Sequence, residues 1–378
     1  MRTARGLGRL LAAGALVSIA LFALTGGSEG SPAVVPAAVP QASAAADPLQ
    51  GLTLRQIAGQ RMIVGFYGTT LPRWLIDRVR RGEVGGVILY TRNISSRAAL
   101  AAQMRQLQRI SRPLRAPLLT MIDQEGGMVK RLPGAPSGSA RAMGRRGVKA
   151  VLRAGLLTAR NLRAAGVNVD LGPVMDIGRP GSYMLGTGRS FASGAAQVGL
   201  LGSAFARGLQ QGGVAAALKH FPGMGGVSQD ADRLVQTVGY SRRTLRAADE
   251  APFRAGIAAG ARIVLTSTAR YPSLDRSAPA MLSRAIVTGE LRGRLGFQGV
   301  AMTDDLNVTA LAGFAGAGRL GILATKAGND LLLFAHDPAR AAEALDAIVH
   351  AVQVGALSRS ALRAQGGRVI ALRETLVR

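Results

Sequence analysis

The sequence predicts an α/β fold, a closed (β/α)8 barrel of the TIM type in a single domain. Eight near-continuous apolar runs with strand character follow residue 47, and Ala- and Arg-rich segments with helical spacing separate them. Apolar strands that alternate with helices indicate a parallel sheet covered on its outside, and eight such units favour closure into a barrel. An open, doubly wound sheet is the alternative.

The eight predicted strands are apolar runs, and each is followed by a helix-like segment. In chain order they are RMIVGFYG from Arg61, VGGVILY from Val84, APLLTMID from Ala116, GVNVDLGPVMDI from Gly166, GVAAALKHF from Gly213, ARIVLTST from Ala261, GVAMTDD from Gly299 and NDLLLFA from Asn329. Helical spacing is clearest in residues 96–110, 147–165, 194–211 and 241–259. With 378 residues, 48% of them hydrophobic, the chain can bury the core of one large barrel.

Residues 1–47 are predicted to be a signal peptide and low-complexity linker ahead of a barrel over residues 48–378. Three arginines in the first nine residues precede an uncharged apolar run, residues 10–24, which is short for a membrane span. Ala42-Ser43-Ala44 has the small residues of a cleavage site. We therefore expect an exported protein, extracellular or associated with the cell envelope. An uncleaved signal that tethers the chain to a membrane is the alternative.

The chain is strongly basic, with 47 Lys and Arg residues against 21 acidic residues and a formal net charge of +26. Such a charge favours polyanionic partners, including the anionic lipids and acidic polymers of a cell envelope. Nucleic acid is not an expected partner, because the arginines are scattered and aromatic residues make up only 4% of the chain. We expect a monomer.

Neither a metal ion nor a cofactor is expected. The chain has no cysteine and three histidines, which excludes a thiolate site and leaves little for an imidazole cluster. The stretch GAGRLG, residues 316–321, matches a dinucleotide fingerprint. That fingerprint must follow a strand directly, whereas this stretch follows a loop or short helix.

Polar residues follow seven of the predicted strands, at the end where the chemistry of such barrels lies. They are Arg92-Asn93, Asp123-Gln124-Glu125, Asp176, Lys219-His220, Ser267-Thr268, Asp304-Asp305 and His336-Asp337. Any one of the aspartates has a structural explanation, since strand-end aspartates often cap the next helix. Together the residues predict a site in which carboxylates and cations converge.

Seven motifs stand in order along the chain. They are GGVILYTRNI from Gly85, IDQEGGMVKRL from Ile122, NVDLGPVMDI from Asn168, GTGRSF from Gly186, KHFPGMG from Lys219, RLGFQGVAMTDDLN from Arg294 and AGNDLLL from Ala327. This series resembles glycoside hydrolase family 3, and within it the single-domain bacterial β-N-acetylglucosaminidases, over residues 52–377. The resemblance implies the same barrel and retaining hydrolysis of terminal β-N-acetylglucosaminides in cell-wall or chitin-like glycans.

Retaining hydrolysis requires a carboxylate nucleophile and a second group that protonates the leaving oxygen and later deprotonates water. By the resemblance, the nucleophile is Asp304. We expect Lys219 and Arg131 to keep Asp304 ionised, and Asp305 to cap a helix.

The resemblance also implies a set of residues that bind the sugar. Asp123 would accept hydrogen bonds from sugar hydroxyls. The polar wall of the pocket would consist of Arg131, Arg189, Lys219 and His220. Charged side chains in fixed positions orient a neutral sugar in a way that apolar contact does not.

The segment after the fifth strand departs from the family. Where the β-N-acetylglucosaminidase branch usually has Lys-His-Phe-Pro-Gly-His-Gly and then Asp-Ser-His, this chain has KHFPGMG and then DAD. Asp232 occupies the position of the acid/base histidine, and Asp230 that of its orienting partner. Met224 and Thr268 replace two further histidines, and Met128 replaces an arginine.

Asp232 can take the role of the missing histidine, because carboxylates held close together repel as anions and one of them can retain a proton near neutral pH. The alternative is that Asp232 is an exposed acid in a displaced loop, and that the barrel binds glycan with lost or impaired catalysis. A β-glucosidase of the same family is a further alternative.

Overall fold

The computed structural model of the chain describes residues 47–376, which form a closed barrel of eight parallel strands. The strands are β1 (Met62–Gly65), β2 (Gly86–Leu89), β3 (Leu119–Ile122), β4 (Val169–Asp170), β5 (Ala215–Phe221), β6 (Ile263–Thr266), β7 (Val300–Asp305) and β8 (Leu331–Phe334). Each strand pairs with its neighbours in the sequence, and β8 pairs with β1. The predicted barrel is therefore confirmed, and an open sheet is excluded.

The predicted signal peptide and linker lie outside the described residues, apart from Asp47. None of the helices in residues 47–376 combines the length and the hydrophobicity of a membrane span. The export prediction thus concerns a segment that the structure does not describe.

Helices cover the outside of the barrel. They are α1 (Leu54–Gly59), α2 (Arg73–Arg81), α3 (Arg97–Arg109), α4 (Ala140–Gly144), α5 (Val148–Ala164), α6 (Tyr183–Gly186), α7 (Ala195–Gln211), α8 (Arg242–Thr244), α9 (Ala251–Ala258), α10 (Ala317–Ala327), α11 (Pro338–Gln353) and α12 (Arg359–Glu374). The predicted helices over residues 96–110, 147–165 and 194–211 are α3, α5 and α7. The predicted segment 241–259 is helical in three parts: α8, a π-helical segment at Leu245–Asp249, and α9. Pro252 lies in the first turn of α9 and has no amide hydrogen for a bond to the preceding turn.

Side chains of alternate strand residues fill the interior of the barrel, including Ile63, Met121 and Leu265. Val369 and Leu372 of α12 belong to the same interior cluster. A second, larger cluster lies between the strands and the surrounding helices. The last helix thus closes one end of the barrel and leaves the other end open.

A buried arginine holds α12 at the N-terminal ends of the strands. Arg373 is fully buried, and its guanidinium donates to the carbonyl oxygens of Ala116, at 2.7 Å, and Pro117, and to the side-chain oxygen of Gln60. These acceptors precede β3 and β1. The open end is therefore the one at which the C-termini of the strands converge.

The glycines of GAGRLG serve the packing of α10. Gly316 is the N-cap of this helix and follows a short 3-10 turn, Thr309–Leu311, and its loop. Gly321 faces α11, where an added Cβ would lie 2.9 Å from the Cβ of Ala344. The stretch therefore lacks the strand–turn–helix context of a dinucleotide fingerprint.

If α12 closes the barrel, Leu372→Ala will destabilise the protein by about 2–5 kcal/mol, because a large side chain is removed from a packed core. Leu372 is 5% exposed. The matched control is Leu200→Ala on α7, where the side chain is 52% exposed and the expected change is within about 0.5 kcal/mol. Urea unfolding measures both variants. Equal unfolding midpoints for Leu372→Ala and the wild type would contradict this role of α12.

Candidate active site

A cavity of about 310 Å³ opens at the C-terminal end of the strands. Its wall includes all eight candidate site residues: Asp123, Arg131, Arg189, Lys219, His220, Asp230, Asp232 and Asp304. They lie on or after β3, β4, β5 and β7, so the closed barrel brings together residues that are far apart in the chain. The volume is at the lower end of the range for small-molecule sites and matches a ligand of one sugar ring.

The floor of the cavity is a network of buried charges. Lys219 is 3% exposed, and its Nζ donates to Asp123 Oδ1 and Glu125 Oε1, both at 2.7 Å. Arg189 donates to both Glu125 oxygens at 2.8 Å. Burial opposes ionisation, but the charges of Arg189 and Lys219 hold the pKa of Glu125 far below its ordinary value. Burial also opposes the charge on Lys219, but Asp123 and Glu125 hold its pKa above the ordinary value.

The cations of the site pair with acids other than Asp304, contrary to our expectation. Lys219 contacts Asp123 and Glu125, and Arg131 Nη2 lies 3.9 Å from Asp123 Oδ2. A hairpin after β3 causes this arrangement, because it returns Arg131 to the end of the same strand. Asp304 Oδ1 accepts a hydrogen bond from the backbone of the next residue at 2.9 Å. Within residues 47–376, Asp304 has no ion pair at salt-bridge distance.

A buried glutamine fixes the hairpin that carries Arg131. Gln124 Nε2 donates to the carbonyl oxygens of Leu132, at 2.7 Å, and Ala135, at 2.9 Å. Its Oε1 accepts from the backbone nitrogens of Arg131, at 3.1 Å, and Leu132, at 3.0 Å. One side chain thus holds both sides of the hairpin and positions the arginine at the cavity wall.

His220 is held in the wall by Asp176. The Nδ1 atom of His220 is 2.7 Å from Asp176 Oδ2. Asp176 Oδ1 accepts from the backbone nitrogens of His220, at 3.3 Å, and Met224, at 2.6 Å. When Nδ1 donates to the carboxylate, Nε2 is the ring nitrogen left for a ligand.

The turn after β5 requires glycine. Gly223 has φ +129°, and an added Cβ would lie 2.8 Å from the Cβ of Asp249. A side chain at this position would therefore be strained and would collide with its neighbour. Met224, next in the chain, is buried and lines the cavity where the family usually has a histidine.

The loop that carries Asp232 is tied down at three points. Asp230 Oδ1 accepts from the backbone nitrogen of Asp232 at 3.1 Å. The backbone nitrogen of Ala310 donates to the Asp232 carbonyl at 3.2 Å. Thr268 Oγ1 donates to the carbonyl of Ala231 at 3.3 Å. Asp230 therefore orients Asp232 through its backbone, while the loops after β6 and β7 hold the segment over the cavity.

Asp232 has a raised pKa of about 8. Burial between the cavity walls contributes most to the raised pKa, because it disfavours the charged carboxylate. The negative charge of Asp304 contributes next, followed by the charges of Asp230 and Asp305. Arg189 acts in the opposite direction. Asp232 is exposed to solvent at the mouth of the cavity, so burial contributes less to its raised pKa. The repulsion from the neighbouring acids is then the main reason for the raised pKa. The geometry therefore favours a protonated Asp232 near an acid, Asp304, in one cavity.

Four polar residues of the cavity wall are not among the eight predicted site residues: Tyr90, Tyr183, Asp305 and His336. His336 Nε2 lies 3.5 Å from Asp305 Oδ2, and its ring centre is 5.5 Å from that of Tyr90. Asp305 and His336 were visible as polar residues after predicted strands. Tyr90 ends an apolar run, and nothing in that run marks it as a site residue.

Asp305 was expected to cap a helix, but it does not. Its Oδ1 accepts from the backbone nitrogens of Asn307 and Ala335, both at 2.9 Å. These bonds tie the turn after β7 to the end of β8, because the two strands are neighbours in the ring. Burial raises the pKa of Asp305 to about 7.

No group of three or more His, Asp or Glu side chains in the described part of the chain is arranged to hold a metal ion. At the floor of the cavity, Asp123 and Glu125 surround the ammonium group of Lys219.

Comparisons with known proteins agree with this barrel. The model of the glycosyl hydrolase family 3 N-terminal domain matches residues 64–372. An uncharacterized secreted glycosyl hydrolase of Arthroderma benhamiae is 38% identical over 346 residues, 89% of this chain and 98% of that protein. A beta-hexosaminidase of Xylella fastidiosa is 34% identical over 321 residues, 80% of this chain and 92% of that protein.

A solved structure gives the same result for the fold. The family 3 beta-N-acetylglucosaminidase of Paenibacillus sp. FPU-7 superposes with a TM-score of 0.82 at 36% sequence identity, over 86% of this chain. The matched region spans 63% of the length of that protein. On the family model and these relatives, the chain belongs to glycosyl hydrolase family 3.

Proposed function

We propose that the chain is an exported, retaining glycosidase that hydrolyses terminal β-N-acetylglucosaminides from cell-wall or chitin-like glycans. The observation that carries the proposal is that Asp304 and Asp232, which has a raised pKa, line one cavity of sugar size. The names of the Xylella and Paenibacillus relatives support the sugar class. The N-terminal sequence and the word "secreted" in the name of the Arthroderma relative support export.

In this proposal the charged floor binds the terminal sugar. Asp123 accepts hydrogen bonds from sugar hydroxyls, and its contacts with Lys219 and Arg131 hold the carboxylate in place. His220 presents Nε2 to a further hydroxyl. Arg189 lines the cavity and fixes the buried Glu125, which in turn holds Lys219.

The first chemical step forms a covalent intermediate. A carboxylate oxygen of Asp304 attacks the anomeric carbon while the bond to the leaving oxygen breaks, and Asp232 gives its proton to that oxygen. The repulsion from Asp304 and the neighbouring acids raises the pKa of Asp232, which favours the protonated form that can act as the acid. Retaining enzymes hold the two carboxyl groups about 5 Å apart, and the position of Asp232 and Asp304 on the wall of one cavity is compatible with that arrangement.

The second step restores the enzyme. Asp232, now a carboxylate, takes a proton from water as the water oxygen attacks the anomeric carbon, and the bond to Asp304 breaks. Two displacements at one carbon give a product with the original anomeric configuration. The proton balance closes, because Asp232 loses one proton in the first step and regains one in the second.

The alternative is a glycan-binding barrel with impaired catalysis. The solvent exposure of Asp232 and the replacement of family histidines by Met224 and Thr268 favour it. A β-glucosidase is the alternative within the same reaction class. Hydrolysis of p-nitrophenyl β-N-acetylglucosaminide, compared with the matching β-glucoside, separates all three functions.

Asp304→Asn is expected to lower kcat for p-nitrophenyl β-N-acetylglucosaminide by at least about 10³-fold, because an amide cannot form the glycosyl ester. The matched control is Asp77→Asn on α2, a carboxylate on the outer surface that should leave kcat unchanged. Steady-state kinetics measure both variants. An Asp304→Asn variant with wild-type turnover would contradict the nucleophile assignment and favour a different site.

Asp232→Ala is expected to slow substrates with poor leaving groups, such as methyl β-N-acetylglucosaminide, by about 10² to 10⁴-fold. A dinitrophenyl glycoside should be affected far less in its first step, because that group leaves without protonation. Azide should restore turnover and give the β-glycosyl azide, since it attacks the intermediate without a general base. Equal effects on both substrates, or none, would favour the glycan-binding alternative.

Thr268→Val is expected to lower kcat for the methyl glycoside by about 10-fold and kcat for the dinitrophenyl glycoside much less, because small displacements of a catalytic group are costly. The substitution removes the hydroxyl that holds the Ala231 carbonyl beside Asp232. The Thr268→Ser variant keeps a hydroxyl at this position and should hydrolyse the methyl glycoside with a kcat close to that of the wild type. Thr158→Val, which removes a buried hydroxyl bonded to the Ala154 carbonyl within α5, is the control. Equal losses on both substrates would indicate a structural role for Thr268.

A further inference from the structure

The charges of the barrel are distributed unevenly. Between residues 84 and 229 the sequence has nineteen Lys and Arg residues and four acids: Asp123, Glu125, Asp170 and Asp176. All four acids lie on or directly after β3 and β4, and three of them are buried. The outer helices of this half of the chain therefore carry cations and no acid.

These outer helices form one continuous part of the wall. α3, α5 and α7 follow β2, β3 and β4, which are neighbours in the ring. Arg97 on α3 donates to Asn161 on α5 at 3.2 Å. α5 and α7 pack so closely that a Cβ on Gly155 would lie 2.3 Å from the carbonyl oxygen of Phe205.

Exposed cations lie on all three helices, and we call six of them the basic face: Arg105 and Arg109 on α3, Lys149, Arg153 and Arg160 on α5, and Arg207 on α7. Lys149 and Arg153 are one turn apart, about 6 Å along the helix axis, and Arg160 follows two turns later. The ion pairs of residues 47–376 include none of these six. Their charge is thus available to a partner.

The composition of the basic face indicates the kind of partner. Uncompensated cations attract polyanions, and the planar guanidinium of arginine matches the oxygens of a phosphate group. Stacking of nucleic-acid bases needs exposed aromatic side chains, but α3 and α5 have none and Phe205 on α7 is buried. A helix that lies on a lipid surface presents an apolar face, whereas the apolar face of α5 packs on the barrel. Among the large apolar side chains of the three helices, only Leu157 on α5, 41% exposed, and Leu200 on α7, 52% exposed, are left outside.

We propose that the basic face binds an anionic glycopolymer, a chain of sugar or polyol units with repeating phosphate groups. The face lies on the side wall of the barrel, so a polymer bound there leaves the cavity open. Binding would hold the protein on a matrix that also contains the glycans on which we propose it acts. The proposal does not depend on that activity, because its test measures binding.

The test uses the full chain and poly(glycerol phosphate) as the probe, with affinity electrophoresis at low and at high salt. The triple variant Lys149→Gln, Arg153→Gln, Arg160→Gln should bind about 10-fold more weakly and with a smaller salt dependence, because three phosphate contacts are lost. Arg243→Gln, Arg319→Gln, Arg359→Gln is the matched control. It removes the same charge from exposed positions on α8, α10 and α12 and should bind almost as the wild type does.

Unchanged hydrolysis of p-nitrophenyl β-N-acetylglucosaminide, or an unchanged unfolding midpoint, shows that both triple variants are folded. Equal weakening in the two variants would overturn the proposal, because net charge and not the basic face would then determine binding. Tighter binding to phosphatidylglycerol vesicles or to DNA than to the probe, with the same dependence on α5, would also overturn it and assign the face to a membrane or to nucleic acid.

Discussion

Repulsion between carboxylates at the open end of the barrel is the constraint on which the site depends. Asp230, Asp232, Asp304 and Asp305 share this region, while Lys219 and Arg189 are engaged with Asp123 and Glu125 in the floor. Because these cations do not neutralise the four aspartates, at least one of the aspartates is expected to retain a proton. This explains how a chain without the usual acid/base histidine can place a protonated acid near a candidate nucleophile.

The barrel itself was predictable from the sequence, because each buried parallel strand is an apolar run followed by a helix. The prediction overestimated β4, which contains two residues within a predicted run of twelve. Pro173 interrupts the strand, since it has no amide hydrogen for the strand ladder, and the pairing with β5 resumes at a bridge between Val174 and Lys219. The hairpin after β3 was not predicted, because side-chain bonds of Gln124, and not an alternating pattern, hold it.

The convergence of the predicted residues on one cavity was predictable for the same topological reason: parallel strands end at one mouth, and polar residues there lie close together. Which charges pair was not predictable. Lys219 was expected to keep Asp304 ionised, but it pairs with Asp123 and Glu125, because pairing depends on distances that only the folded chain defines. Likewise, the bond from Thr268 to the Asp232 loop joins residues from different strands and has no sequence signal.

The most direct test of this account is the pH dependence of kcat/KM for methyl β-N-acetylglucosaminide, which reports the ionisation of the free enzyme. If Asp232 is the acid, the rate will fall about tenfold per pH unit above its raised pKa of about 8. The fall arises because the deprotonated carboxylate has no proton to give. Asp232→Asn should remove this limb from whatever activity remains, which distinguishes Asp232 from Asp305. A wild-type profile that stays flat through this range, or a limb that persists in Asp232→Asn, would contradict the account.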